Sequence, residues 1–519
     1  MTASLIEINK IFSSSLFTLV VFTLIFSPFT SGLIYLNTNQ SSFTNEFDLV
    51  INCENTIGLI SDFAEINCGP LPNPSIRGVD LTNQLRKTGF DFVRTHDFNG
   101  PCDISTIFQN MSKDPYNPLN YNFTLTDTYI SSIIDAGCEV FYRLGESAST
   151  DEQLRKAPEN ITKWAEICKH IAMHYNDGWA EGYHYNISYW EIWNEPDLSG
   201  FWNGTTEQYY ELYQVTAETL KQYDSSLKVG GPCTSSIFNQ NFTSHFLSFI
   251  KEYDIPLDFY SWHMYADTPF QLYNGSKFVR NLLDSFGFYS VENINTEWNY
   301  NILSPQRDKD NAKNAAFTAC CLSLFQDAEI DHAFRYRTTQ DNNPITRFIG
   351  FDLSLFNTEG LLKTPALSYL AFHYMIEQTP IRLANFTQST QDKITFLFGI
   401  SEDNTNISVL LSNFDNEESA YTIDFGKTLP WNSSYTVARY LIDEEHHLQI
   451  VDKFNSDSKT FELNGTLSSS SVQFVRITNS STLPEEGPIT AKIPFFLQIP
   501  LFDPLAKLLG ILLMILFFG

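Results

Sequence analysis

The sequence predicts an α/β chain: a (β/α)8 TIM barrel with an accessory antiparallel β-sandwich. Three observations predict it. From residue 63 to 379, short apolar runs alternate with stretches of helical period, the pattern of βα units. Eight such units fit that span, as a closed parallel barrel requires. Past Pro380 the helical period disappears, and β-rich runs separated by Asn, Ser, Asp and Gly replace it.

Element by element, Lys10 precedes the apolar run Leu16–Phe26 and small residues follow at Thr30–Gly32, so residues 1–32 read as a secretory signal peptide. An uncleaved signal anchor is the plainer alternative. In the segment 33–62, "FDLVINCE" (47–54) reads as a strand that joins the sandwich. Barrel strands are expected at "AEINCG" (64–69), "DFVRTHD" (91–97), "EVFYRLGE" (139–146) and "YWEIWNE" (189–195). Four more are expected at "KVGGP" (228–232), "DFYSWHMY" (258–265), "NINTEWN" (293–299) and "HAFRYRT" (332–338). Runs such as "ITKWAEICKHIAMHY" and "TEQYYELYQVTAETLKQY" supply the helices between them. The sandwich spans 380–479, with strands such as "KITFLFGI", "ISVLLSNF" and "VQFVRIT". Residues 480–519 are a linker and a hydrophobic tail. Its last run, "LLGILLMILFFG", is too short to cross a bilayer and reads as a GPI signal, a tail anchor or an amphipathic membrane-binding end.

Composition narrows the function. The formal net charge of −28 would repel a phosphate backbone, so no nucleic-acid partner is expected. No GxxxxGK[ST] or GxGxxG motif occurs, and no cofactor is expected. Thirteen N-x-[ST] sequons and eight cysteines fit a secretory route and an extracellular, cell-surface or lysosome-like destination. Cys53 and Cys68 are the first pair to test for a disulfide. Cys320 and Cys321, inside an apparent helix, read as core. Oligomeric state is not legible.

Barrel active sites lie at the C-terminal strand ends, and several of these strands end in polar groups. Residues two apart share a strand face, so Arg94/His96, His263/Tyr265 and Glu297/Asn299 form inward pairs. Strand four contributes Asn194 and Glu195. The two glutamates stand 102 residues apart, three units of about 34, which puts them on strands four and seven, nearly opposite across the mouth. Facing carboxyls divide the labour of acetal cleavage, one protonating the leaving oxygen and the other attacking carbon or activating water.

"WEIWNEPDLSGFW" resembles the acid/base signature of glycoside hydrolase family 39, the β-xylosidase and α-L-iduronidase family of clan A. The resemblance extends through "VRTHD", "VGGP", "DFYSWHMY", "TEWN" and "GFDLSLFNTEGLLKTPALSYLAFHYM", across roughly residues 45–480. It implies a retaining O-glycosidase on a carbohydrate substrate, with Glu195 as general acid/base and Glu297 as nucleophile. It further implies that Asn194 binds the sugar 2-hydroxyl and that Arg94 and Tyr265 orient Glu297. His263 and His96 would line the glycone subsite. The activity implied is β-xylosidase-like or α-L-iduronidase-like. An endo-acting clan A glycanase and a non-catalytic carbohydrate-binding surface protein are the alternatives.

The chain departs from that family on strand eight, where "FRYRTTQ" places Arg335 and Arg337. Either they favour an acidic sugar, or they pair with interior carboxylates such as Glu191. Trp202 reads as a sugar-stacking or supporting residue, Trp193 as core or sugar-stacking, Glu191 as a charge-paired interior residue rather than a catalytic one, and Asp197 as a loop cap or a sugar contact. His170 and His174 have the i, i+4 spacing of a zinc pair but lack the glutamate and third ligand, so no metal is expected.

Overall fold

The computed structural model describes residues 45–71, 79–96, 100–149, 151–338, 352–384, 394–431 and 433–479. The signal peptide, the tail and the sequons at Asn39, Asn385 and Asn432 lie outside them.

The chain enters through β1 (Asn45–Val50) and β2 (Thr56–Leu59). Eight parallel strands then close on themselves: β3 (Glu65–Asn67), β4 (Phe92–Arg94), β5 (Glu139–Leu144), β6 (Tyr189–Ile192), β7 (Lys228–Thr234), β8 (Phe259–Ala266), β9 (Glu292–Tyr300) and β10 (His332–Arg335). Pairing of Arg335 with Ile66 closes the ring. The TIM barrel expected from the sequence is therefore present, each strand at its expected place. Helices between the strands carry recognisable ends. Thr205 and Gln208 form a reciprocal capping box at the start of Thr206–Tyr223, satisfying backbone donors that the first turn leaves open.

Eight further strands follow: β11 (Ile381–Leu383), β12 (Ile394–Ile400), β13 (Asn406–Asn413), β14 (Ser419–Gly426), β15 (Tyr435–Ile442), β16 (His447–Ser456), β17 (Phe461–Leu467) and β18 (Ser471–Thr478). They form a seven-stranded sheet in the order β16-β15-β18-β13-β12-β11-β2 and a three-stranded sheet in the order β1-β14-β17. Both N-terminal strands belong to these sheets: β1 pairs in parallel with β14, and β2 antiparallel with β11. β14 alternates buried and half-buried residues, as a strand with one face on a core must.

The sandwich packs on the barrel through the helix Ala312–Phe325, apolar and buried on nearly every side. Ser412 Oγ of β13 donates to the Ala316 carbonyl at 2.9 Å, and Ser368 Oγ of the neighbouring helix Thr364–Gln378 donates to the Ala315 carbonyl at 2.8 Å.

Cys53 and Cys68, the first pair to test for a disulfide, are not bridged, and all eight cysteines are buried thiols. Cys53 follows β1 into the sandwich core, whereas Cys68 follows β3 into a cluster with Tyr336 and Leu353 at the barrel end. The two thiols thus sit in different cores.

Candidate active site

The lower barrel is plugged by Phe92, Phe141, Tyr189, Phe259, Ile294 and Phe334, one from each of six strands. Because side chains alternate along a strand, the residues two further on face the same axis. On three of the six strands they are Arg94, Arg143 and Glu191, charges resting directly on the aromatic plug. Above it stand His96, Tyr336 and the two glutamates.

Glu297 reaches this layer only through a β-bulge. Ile294 faces the axis, so strict alternation would turn Glu297 outward. Between β8 and β9 the register runs from Trp262↔Asn295 to His263↔Glu297, one residue more on β9. Thr296 is the extra residue, and its insertion re-aims Glu297 into the mouth. Glu195 is placed by a sharp turn after β6. Trp193 and Glu195 both hold positive φ, +75° and +46°, which costs a residue with a Cβ about 1–3 kcal/mol unless its surroundings impose it. Here they do: the Trp193 amide donates to the Leu144 carbonyl at 2.8 Å, and the Glu195 amide to the Cys233 carbonyl at 2.9 Å.

Arg94, fully buried, organises the floor. It donates to Glu191 Oε2 at 2.7 Å, Asn67 Oδ1 at 2.9 Å, Asn194 Oδ1 at 2.7 Å and Glu297 Oε1 at 3.2 Å. Tyr265 OH donates to Glu297 Oε2 at 2.8 Å, and His96 Nε2 lies 3.3 Å from Glu297 Oε1. His263 Nδ1 is 2.7 Å from Glu195 Oε1 and 3.7 Å from Glu297 Oε2. One carboxylate oxygen of Glu195 lies within 4.8 Å of one of Glu297.

Burial pushes the Glu195 carboxyl up to about 8, with Asp197 adding to the rise and Arg94 opposing it. Burial also raises Glu297, against His263, Arg94 and the Tyr265 hydrogen bond. Glu297 thus meets several stabilising donors and Glu195 one, so a proton shared between them resides on Glu195. Burial, followed by the Arg94 and Arg143 charges, holds His96 well below its usual value, and burial lowers His263 to about 4. Both imidazoles are neutral near pH 7.

The structure brings together Glu195, Glu297, Asn194, Arg94, His96, His263 and Tyr265. Trp202 is not among them. It packs edge-on against Trp193 at 5.0 Å, and its Nε1 donates to the Thr205 carbonyl at 3.0 Å. It is buried, and it lines a cavity beside the loop after Glu195 with Pro196, Asp197 and Leu198, so its contacts support Trp193. Glu191 is charge-paired as expected, but with Arg94 rather than a strand-eight arginine. Arg335 lies behind the strand, bonded to Thr318, Asn314 and Asn299 and stacked over Trp298 at 4.8 Å. Arg337 stacks over Tyr336 at 5.4 Å. Asp197 ties its loop to the next by accepting from Ser235 and Asn239. His170 bonds the Glu166 carbonyl, while His174 lies between the Trp179 carbonyl and Asp127, so the two rings have separate partners.

Sequence reasoning missed Asn67, Tyr336 and Cys233. Asn67 ends the first barrel strand, where the two-apart rule would have found it. Tyr336 lies 6.0 Å from the His96 ring and 6.4 Å from the Tyr265 ring, part of the mouth's wall. Glu195, His263 and Glu297 each offer an atom to a shared point. The fixed Arg94 charge beside Glu297 opposes a cation there, and the donors already on both carboxylates suit proton transfer better.

A parallel barrel with two donor-framed carboxyls facing each other at its C-terminal mouth defines the class of protein. Residues 67–410 match the model of glycosyl hydrolases family 39, and the chain belongs to that family. It is 28% identical over 288 residues to a β-xylosidase of Geobacillus stearothermophilus, covering 49% of this chain and 55% of that one. Over 234 residues it is 28% identical to a β-xylosidase of Caldicellulosiruptor saccharolyticus, covering 42% of this chain and 46% of that one. These matches span about half the length of the curated relatives. A solved glucosidase from Croceicoccus marinus superposes with a TM-score of 0.73 at 25% identity, covering 84% of this chain and all of that one.

Proposed function

We propose that this chain is a retaining O-glycoside hydrolase acting on β-linked sugars, with β-xylosides the first choice. The observation that carries the reading is the close approach of the two carboxylates, one oxygen of each within 4.8 Å of the other, with Arg94 and Tyr265 donating to Glu297. Retaining enzymes hold their carboxyls about 5–5.5 Å apart, whereas inverting ones leave about 6.5–9.5 Å for a water. In the first step Glu297 attacks the anomeric carbon as the glycosidic C–O bond breaks, and the Glu195 proton passes to the departing oxygen. In the second, Glu195 takes a proton from water, whose oxygen displaces Glu297 from the sugar. Asn194 Nδ2, buried and without a partner among the described residues, is the donor available to a sugar hydroxyl. The β-xyloside preference rests on the named relatives; Arg335 lies behind the strand, while Arg337 stays beside Tyr336 at the mouth's wall, which keeps an acidic sugar as the second choice.

We further propose that the chain follows the secretory route. Ten sequon asparagines fall among the described residues and none is buried, whereas seven asparagines outside sequons are. Membrane attachment through the tail is part of the proposal and rests on the sequence alone.

The test is hydrolysis of aryl β-xyloside, β-glucoside, β-galactoside, α-L-arabinoside and α-L-iduronide by the full chain, with Glu297→Ala as control. Turnover of a β-glycoside that vanishes in the variant is expected. A folded wild type inactive on the whole panel, or a Glu297→Ala protein as active as wild type, overturns the proposal.

A further inference from the structure

Outside the groups already given roles, one side chain touches several of them at once. Cys233, fully buried, is the extra residue of a second bulge: β7 pairs with β8 through Pro232↔Ser261 and then Thr234↔Trp262. Its φ of +55° is a left-handed value that a residue with a Cβ adopts only under constraint. The bulge aims the thiol at the floor of the mouth. Its sulfur lies 3.0 Å from His263 Nε2, 3.0 Å from Arg94 Nη2, 3.3 Å from Asn194 Oδ1 and 3.6 Å from Thr296 Oγ1. Its carbonyl accepts from the Glu195 amide at 2.9 Å. The residue therefore holds Glu195 twice, through the backbone directly and through His263 at the side chain.

We propose that Cys233 is a positioning residue for Glu195: its S–H donates to His263 Nε2 and so selects the imidazole tautomer that carries its proton on Nδ1. This rests on the retaining reading above. A neutral imidazole has one donor and one acceptor nitrogen. With the proton on Nδ1, His263 donates to Glu195 Oε1 and leaves the other oxygen to carry the proton meant for the leaving group. With the proton on Nε2, His263 Nδ1 instead accepts from the carboxyl and draws that proton away from the substrate. Arg94 Nη2 can only donate, so the sulfur accepts from it and keeps its own hydrogen for one further partner. Asn194 Oδ1 already accepts from Arg94 at 2.7 Å. His263 Nε2 has no other hydrogen-bond partner among the described residues, and at 3.0 Å it is nearer the sulfur than Asn194 Oδ1 or Thr296 Oγ1. Burial raises the thiol well above its usual value, consistent with S–H rather than thiolate.

The charges facing this pair are Arg94, Glu191, Glu297, Glu195 and Asp197. A pH experiment must leave them in place, which substitution at Cys233 does. The test compares Cys233→Ala and Cys233→Ser with wild type by kcat/KM against pH, and by nitrogen-15 shifts of the His263 ring. Loss of one buried hydrogen bond predicts a fall in kcat/KM of about tenfold in Cys233→Ala. Its basic limb moves to higher pH, because the carboxyl proton is then held by the imidazole. Cys233→Ser supplies a hydroxyl donor and stays within about threefold of wild type. The ring shifts report Nδ1–H in wild type and Cys233→Ser, and Nε2–H in Cys233→Ala. Wild-type ring shifts showing Nε2–H overturn the proposal, as does a Cys233→Ala profile identical to wild type. A Cys233→Ser protein as impaired as Cys233→Ala, with the basic limb unmoved in both, marks a packing role and overturns it too. An inactive wild type with the Nδ1–H signature would instead sink the glycosidase reading and leave the tautomer claim standing.

Discussion

At Glu195 one imidazole nitrogen faces one carboxyl oxygen, whereas Glu297 meets a guanidinium, a phenol and a second imidazole. The inequality assigns the resting proton, and its consequence is a pH dependence. With the Glu195 carboxyl raised to about 8, the acid form is lost above that pH, so kcat/KM falls on the alkaline side near pH 8. The same shift acts on stability. The folded pKa is above the unfolded one, so this contribution is full below about 4.5 and is lost as the pH rises to about 8. Glu195→Gln carries no charge to bury. Its melting temperature relative to wild type is therefore expected to rise between pH 5 and pH 9, measured by calorimetry. At this scale the glutamates, Asn194, Arg94 and His263 were legible because each stands at a strand end beside another polar group. Cys233 was not, because a one-residue bulge leaves no mark in the sequence and reverses which side chains face inward.

Among the elements, the turn after β6 depends on its neighbours. Gly145 follows β5 at φ +123°, and a Cβ there would lie 2.9 Å from the Trp193 ring. Gly145→Ala is thus expected to push Trp193 aside and cost about 1–3 kcal/mol of stability by denaturant melts. Activity would fall further than stability, since Trp193 sits two residues before Glu195. The eight barrel strands were legible because short runs with apolar residues recur between stretches of helical period. Thr56–Leu59 was not, because all four of its residues are exposed and only pairing with β11 makes it a strand. Trp202 shows the converse. An aromatic beside a catalytic motif has the same composition whether it stacks on sugar or on Trp193, and only the course of the loop decides.

Over the whole molecule, the end of the barrel opposite the glutamates carries its own polar network. His332 bonds Glu65, and Tyr189 OH reaches both His332 Nε2 at 3.2 Å and Glu292 Oε2 at 3.0 Å. Lys228 closes the network on Glu292 and Tyr189. Burial works to lower the His332 pKa, but Glu65 and its hydrogen bond, with Glu292 and Asp331, raise it above 6.5. A raised folded pKa stabilises fully below the unfolded value and loses that contribution as the pH climbs through the folded one. His332→Gln is accordingly expected to lower the melting temperature more at pH 6 than at pH 9. The passage from barrel strands to antiparallel sheets was legible from the change of texture at Pro380, whereas Arg335 was misread because sequence gives no side of a strand to a residue next to its end. The central claim is that Glu297 attacks sugar carbon. It is tested most directly by incubating the protein with a 2-deoxy-2-fluoro-β-xylosyl or glucosyl fluoride and mapping the modified peptide by mass spectrometry. A fluorosugar bound to Glu297 is the predicted result. A fluorosugar on any other residue, or release of fluoride with inversion at the anomeric carbon and no adduct, would contradict the account.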